Sequence, residues 1–445
     1  MSFSWFKYPT LNMFLILVAG SCTSQVVDSP KATATAMQTE AVTTSIPPTQ
    51  MPTAYPPPAP TQDPSTFLFD SLQMISESIG WATAELSDSL GENWSTRILR
   101  TTDGGLNWLD VSPASDLQRT EKFFLDGENA WAITHANQTD PAESLEVLVW
   151  QTHNGGSTWT RGTLSVRRGM ISEVRVFFLD AQHGWLINTY DVAMGTTAVT
   201  LYKTEDGGTN WAEILSTALD DLPRPGAMSL ACYKEHLWFR DTSTGWVMGG
   251  CWSDPDILFA VTHDGGLTWQ TQELPQPGDP LTGPSCSPYP PTFFSSQEGV
   301  LQIVCPTTSL LIYHTHDGAQ TWDRPVHRTR LLTTTPVDFV DPNNGWYLAT
   351  QDSPTNNTGV GLYVTHDGGK TWDQITPIID VGDIYGAPPN GNDLELIRHF
   401  DFIDTKTGWA VRTGSDMYDY SLILKTTDGG YTWTHWVPHW QLRSQ

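Results

Sequence analysis

THDGGLTW, from Thr262 to Trp269, is one of seven copies of a single phrase. The others are TTDGGLNW from Thr101, THNGGSTW from Thr152, TEDGGTNW from Thr204, THDGAQTW from Thr315, THDGGKTW from Thr365 and TTDGGYTW from Thr426. Their tryptophans, Trp108, Trp159, Trp211, Trp269, Trp322, Trp372 and Trp433, recur about every 50 to 60 residues, which signals an array of supersecondary units. A second phrase alternates with the first: FFLDGENAW ending at Trp131, FFLDAQHGW at Trp185, WFRDTSTGW at Trp246, FVDPNNGW at Trp346 and FIDTKTGW at Trp409, with weaker versions closing at Trp81 and Val300. An apolar run, an Asp, a polar turn and a Gly read as strand, tight turn, strand, with Asp126, Asp180, Asp241, Asp341 and Asp404 accepting backbone N–H groups. Each unit then holds four strands: one ending in the second phrase, one starting at its Gly-Trp, one running into T-x-D-G-G and one starting at the closing Trp. No unit shows apolar spacing at the helical period, so helical solenoids are excluded. The pattern predicts an all-β fold, a seven-bladed β-propeller of four-stranded antiparallel blades over 66–445.

The T-x-D-G-G-x-T-W phrase resembles the Asp box, or BNR repeat, of sialidases, sortilin-type receptors, xyloglucan-cleaving glycosidases and photosystem II assembly factors. The resemblance implies structural roles for Asp103, Asn154, Asp206, Asp264, Asp317, Asp367 and Asp428, which would bond the loop backbone, and for the seven tryptophans above, which would pack between blades. Asn154 stands in place of Asp, and Ala319 in place of the second Gly. The layout is most similar to the assembly-factor family, which pairs a Gly-Trp strand with an Asp box in each of seven blades behind an export signal. That family is not enzymatic and acts by holding membrane-protein intermediates, so the resemblance implies a protein-binding scaffold.

The N-terminus reads as an export signal: Lys7, a short apolar run over 11–20 and small residues leading into Cys22. Ala19-Gly20-Ser21-Cys22 resembles a lipobox, which implies a lipid-modified Cys22 and anchoring to the outer face of a bacterial membrane. The stretch 23–65 is rich in Pro, Thr and Ala and reads as a disordered spacer. Net charge is −26, with 49 Asp and Glu against 23 Lys and Arg, so nucleic acid is an unfavourable partner. Apart from Cys22, the cysteines are Cys232, Cys251, Cys286 and Cys305, two pairs of equal spacing in the same register of consecutive units. The hairpins turning near Asp241 and Ser295 place each pair across adjacent strands, predicting Cys232–Cys251 and Cys286–Cys305 disulfides, each worth about 3 kcal/mol. Export permits them.

Chemistry is less legible. His153, His263, His316 and His366 fill one slot of four different units, and equivalent slots diverge on a ring, so they predict turn residues rather than a metal site. Zinc-type spacing, an Arg-Ile-Pro motif, a nucleophile elbow and a phosphate loop are all missing from the sequence, so neither cofactor nor metal is expected. Of 20 tryptophans most have strand or turn assignments, leaving Trp94 and Trp252 as candidate ligand contacts. Two connections per unit repeat almost verbatim and two vary, and alternate connections of an up-and-down blade share a face. Binding is therefore expected on the variable loops, 84–93, 135–144, 188–198, 219–231, 275–291, 351–359 and the longest, 376–396, with Asp380, Asp383, Tyr385, Asp393 and Glu395 as its candidate contacts. The leading expectation is a monomeric, lipid-anchored, extracytoplasmic propeller that binds protein partners at the cell envelope without catalysis. The alternative is a glycan-active propeller, glycosidase or lectin.

Overall fold

The computed structural model describes residues 67–441 apart from 88–93, 115–116, 118–120, 136–143, 170–172, 194–195, 219–224, 252–256, 278–285, 306–308, 330–336, 351–359, 381–396 and 414–420. The expected signal, Cys22 and the spacer lie outside the described residues. Every regular element described is a strand. Blade one is Phe67–Met74, Gly80–Ser87, Trp94–Thr101 and Asn107–Asp110, and blade two is Glu121–Phe124, Ala130–His135, Ser144–Thr152 and Thr160–Arg167. Blade three is Glu173–Phe178, Gly184–Ala193, Thr196–Thr204 and Ala212–Thr217; blade four is His236–Phe239, Gly245–Gly250, Ile257–Thr262 and Gln270–Thr271. Blade five is Ser287–Pro288 with Thr292–Phe293, then Gly299–Cys305, Ser309–Thr315 and Val326–Thr329. Blade six is Asp338–Phe339, Gly345–Thr350, Val360–Thr365 and Asp373–Ile375, and blade seven is Ile397–Phe402, Gly408–Thr413, Ser421–Thr426 and Thr432–Trp436. The seven antiparallel sheets form a ring. First strands of neighbouring blades touch, so they surround the axis and the fourth strands form the rim.

Two features depart from four strands per blade. Ile378–Asp380 adds in parallel to the outer strand of blade seven, and His439–Gln441 adds in parallel to the outer strand of blade one. Blade five's first strand is split, because Pro290 and Pro291 carry no N–H to give to a ladder.

The apolar core is seven layers, one between each pair of blades. A repeated contact keys several of them. The second-strand indole stacks on a first-strand phenyl of the next blade: Trp131 on Phe178 at 3.8 Å, Trp185 on Phe239 at 3.7 Å and Trp346 on Phe402 at 4.1 Å between ring centroids. The same indoles donate Nε1–H to a glycine carbonyl of that next blade, Trp131 to Gly207, Trp185 to Gly265, Trp346 to Gly429 and, across the seam, Trp409 to Gly104. Blade five has Val300 where the others have Trp; there His314 Nε2 contacts the Gly368 carbonyl at 2.8 Å. A buried aromatic of this kind contributes about 3 to 5 kcal/mol. The ring is sealed by further bonds between the first and last blades: Trp436 Nε1 donates to Gly105 O and Phe69 N to Ser421 Oγ.

Candidate functional site

The two ends of the axis differ chemically. Connections between first and second strands, and between third and fourth, lie at one end. There the glycine after each box Asp or Asn donates its N–H to the first turn of its own blade, for example Gly104 to Ser78 O, Gly265 to Ser243 O and Gly429 to Lys406 O. Asp264 shows the local economy: its Oδ1 accepts from Thr262 Oγ1 and Thr268 N, and its Oδ2 from Thr268 Oγ1. Burial alone would raise this carboxyl, but the Thr268 and Thr262 bonds hold it below the usual range. Asp103, Asp206, Asp317, Asp367 and Asp428 make the same bonds, and Asn154 makes the amide version. Gly265 and Gly266 have φ of 77° and 104°, which a side chain would resist; Ala319 occupies that space at 67° in blade five. His153, His316 and His366 bridge to Asn129, Glu298 and Asn344 of the neighbouring turn at 2.7 Å each. The box Asp and Asn side chains are thus consumed by their own corners. Among the described residues no group of three or more His, Cys, Asp or Glu is placed to hold a metal ion.

At the opposite end, the variable connections meet the beginnings of the first strands. Counting ten residues back from the second-strand Trp gives Ser71, Glu121, Arg175, His236 and His399 in blades one, two, three, four and seven. Neighbouring positions add Glu173 and Glu235. Arg175 is the hub, 3.9 Å from Glu121 and 3.3 Å from Glu173. Burial lifts Glu121 above the ordinary carboxylate range, with Arg175 pulling the other way. Burial also raises Glu235, despite hydrogen bonds from Ser287 and the Gly250 N–H and the field of Arg175. His236 is driven down to about 4 by burial and by Arg175, and its ring lies 5.2 Å from that of Tyr289. Burial, and secondarily Glu235, raise the Tyr289 phenol. This axial cup therefore holds two carboxyls biased toward the protonated form, one guanidinium and an imidazole kept neutral.

Two residues deeper along the axis, the position eight before the Trp forms a second ring: Gln73, Phe123, Phe177, Trp238, Thr292, Asp338 and Asp401. Gln73 and Thr292 are the exposed members of this ring. Asp338 Oδ2 accepts from Phe402 N at 2.6 Å and Asp401 Oδ2 from Met74 N at 2.5 Å. Burial raises both carboxyls, and the Asp401 charge adds to the rise at Asp338.

Both disulfides stand at the cup's edge, Cys232–Cys251 with Cα atoms 4.2 Å apart and Cys286–Cys305 at 4.1 Å. They tie the starts of the inner chains of blades four and five to the ends of the second strands. They fit an extracytoplasmic setting, and no helix among the described residues is long and apolar enough to cross a membrane. Asp380 ends the added strand on blade seven. The other loop candidates, Asp383, Tyr385, Asp393 and Glu395, and Trp252 lie outside the described residues, while Trp94 begins the third strand of blade one. Sequence reasoning missed Glu121, Arg175, Glu235, His236, Asp338 and Asp401. Aligning the repeats on Gly-Trp and reading back eight to eleven residues would have found them as the non-repeating, polar members of a repeating strand.

No family model and no curated protein matches the sequence. Similar solved structures include the GH74 xyloglucanase from Xanthomonas campestris, at 14% identity and a TM-score of 0.52 over 83% of this chain and 54% of that one. Others are the α-L-arabinofuranosidase Arb93A from Fusarium graminearum, at 15% identity and a TM-score of 0.40 over 70% and 95%, and a subtype N11 neuraminidase-like protein of A/flat-faced bat/Peru, at 10% and 0.36 over 82% and 90%. This chain spans about half the length of the xyloglucanase. At such identities the likeness is one of fold.

Proposed function

We propose that the axial cup binds and cleaves a glycan, with Glu121 and Glu235 as the acid–base pair and Arg175 as the group that holds their charges apart. The observation that carries this reading is the convergence of two carboxyls with raised pKa on one arginine at the variable-loop end of the axis. Glycoside hydrolysis needs one protonated and one ionised carboxyl; burial raises both here, and the Arg175 guanidinium, 3.9 Å from Glu121, favours the ionised form at that one. The half-buried Tyr289 lines the cup beside His236 and adds the kind of aromatic surface on which sugar rings pack. That a xyloglucanase shares the fold supports the reading. Export and anchoring through Cys22 would place the cup outside the cell, where polysaccharides are met.

The test is turnover of xyloglucan, arabinan and sialoside panels by the purified propeller, and by Glu121→Gln and Glu235→Gln. Each substitution should lower kcat by at least about 100-fold, the usual scale of general acid–base catalysis, with an unchanged melting temperature. If no polysaccharide is bound or cut, the second reading takes over: a protein-binding scaffold of the assembly-factor type, favoured by the Gly-Trp strand and T-x-D-G-G turn recurring in five of the seven units, with close variants in blades two and five. Shortening the 376–396 loop should then weaken capture of the envelope partner while leaving the melting temperature nearly unchanged.

A further inference from the structure

Lys234 lies directly before Glu235 and His236 and is 4% exposed. Among the described residues its ammonium donates to backbone carbonyls only: Cys232 at 2.9 Å, Leu230 and Ala231 at 3.1 Å each, and Thr197 of blade three at 3.4 Å. The chain curls around the charge to make this cage. Cys232 takes a φ of 67°, Thr197 N donates to Leu230 O, and Thr196 forms a bridge with Ala231. Beyond the cage, Tyr233 N donates to Gly250 O and Glu235 N to Met248 O, and the disulfide to Cys251 closes the other side. Four carbonyl oxygens brought to one point repel each other unless a cation sits among them. Among the described residues no carboxylate pairs with this lysine, and it is almost fully shielded from solvent.

We propose that Lys234 is a positioning residue: seated in its carbonyl cage, the ammonium fixes the path by which Glu235 and His236 enter the axial cup. The assignment rests on the cup reading, but its test does not need a glycan. Burial brings Lys234 down to about 7, so the cage loses its cation within an accessible pH range. The groups that face His236 are Arg175 and Tyr289; Glu235 is its chain neighbour, and Glu173 pairs with Arg175.

The experiment follows the His236 ring and the Lys234 side chain by NMR in the intact protein. As pH rises through the Lys234 titration, the His236 resonances should move in step although the ring stays neutral. His236 resonances that stay still across that titration would overturn the proposal without any variant. In Lys234→Met that melts cooperatively, His236 should titrate at least about one unit higher than in the wild type. In Lys234→Ala, n-butylammonium should restore the wild-type behaviour and n-butanol should not. An unchanged His236 titration in both folded variants, or equal rescue by the alcohol, would reduce Lys234 to a latch between blades three and four. Absence of all glycan turnover sinks the cup reading and leaves the titration result standing.

Discussion

One register position of the inner strands is solved in two opposite ways. On the side of blades two to four it carries Phe123, Phe177 and Trp238, which pack edge to face or tilted, with centroids 5.4 Å apart for the first pair and 5.9 Å for the second. On the side of blades six and seven it carries Asp338 and Asp401, each reaching a backbone N–H of the next blade. Both join a blade to its neighbour. The aromatic side does so by burying surface, which favours the fold at every pH. The acidic side does so with carboxyls that burial and mutual repulsion push toward protonation, a costly solution where a phenyl would serve. The fold can tolerate them because the aromatic half and the interblade indoles supply the cohesion.

Substitutions can break this contrast. Phe177→Ala should cost about 3 to 5 kcal/mol, read as a drop in the denaturant midpoint, because it opens a cavity between blades three and four. Removing the Cys286–Cys305 bridge by paired Ser substitution should cost about 3 kcal/mol, and more than half of that should persist after reduction of the remaining bridge is controlled for. The acidic side should respond with the opposite sign. Asp338 has a folded pKa raised above its unfolded value, so the stability it contributes is full below about pH 4 and is lost as pH rises through the raised value. Asp338→Asn, whose Oδ1 can still accept from Phe402 N, should therefore melt like the wild type near pH 3 and above it at pH 7. A variant that melts lower at pH 7 would show that the carboxylate is a net stabiliser, and the contrast between the halves would fail. Smallest of all, Ala319→Gly should raise stability by a few tenths to about 1 kcal/mol, since φ of 67° costs Ala what it does not cost Gly.

Blade number, strand order and both disulfides were legible because they rest on residues that geometry demands locally. A turn needing positive φ calls for Gly at 265 and 266, an Asx turn calls for Asp at 126 or 241, and two cysteines in one hairpin register have few ways to pair. The cup was not legible for the complementary reason. Glu121, Arg175 and His236 occupy one position of three repeats, and nothing in that position's local structure requires a charge; only the closing of the ring makes it a site. The added strands were equally hidden. His439–Gln441 is three residues long and pairs with a strand more than 300 positions earlier, a contact that no local pattern encodes.

That last pairing also sets the order in which the molecule can be made. The first strand of blade one, early in the chain, bonds at the seam to Ser421 and Asp401, while the fourth strand of the same blade takes Trp440 beside Trp108 on the rim. Blades two to six can assemble against one another as they emerge, while the outer edge of blade one waits unpaired. Ring closure is then the final, long-range step of biogenesis, the kind of contact that slows folding most. A chain cut anywhere before residue 436 would lose the Trp436–Gly105 bond and leave the first and last blades with that part of the seam open.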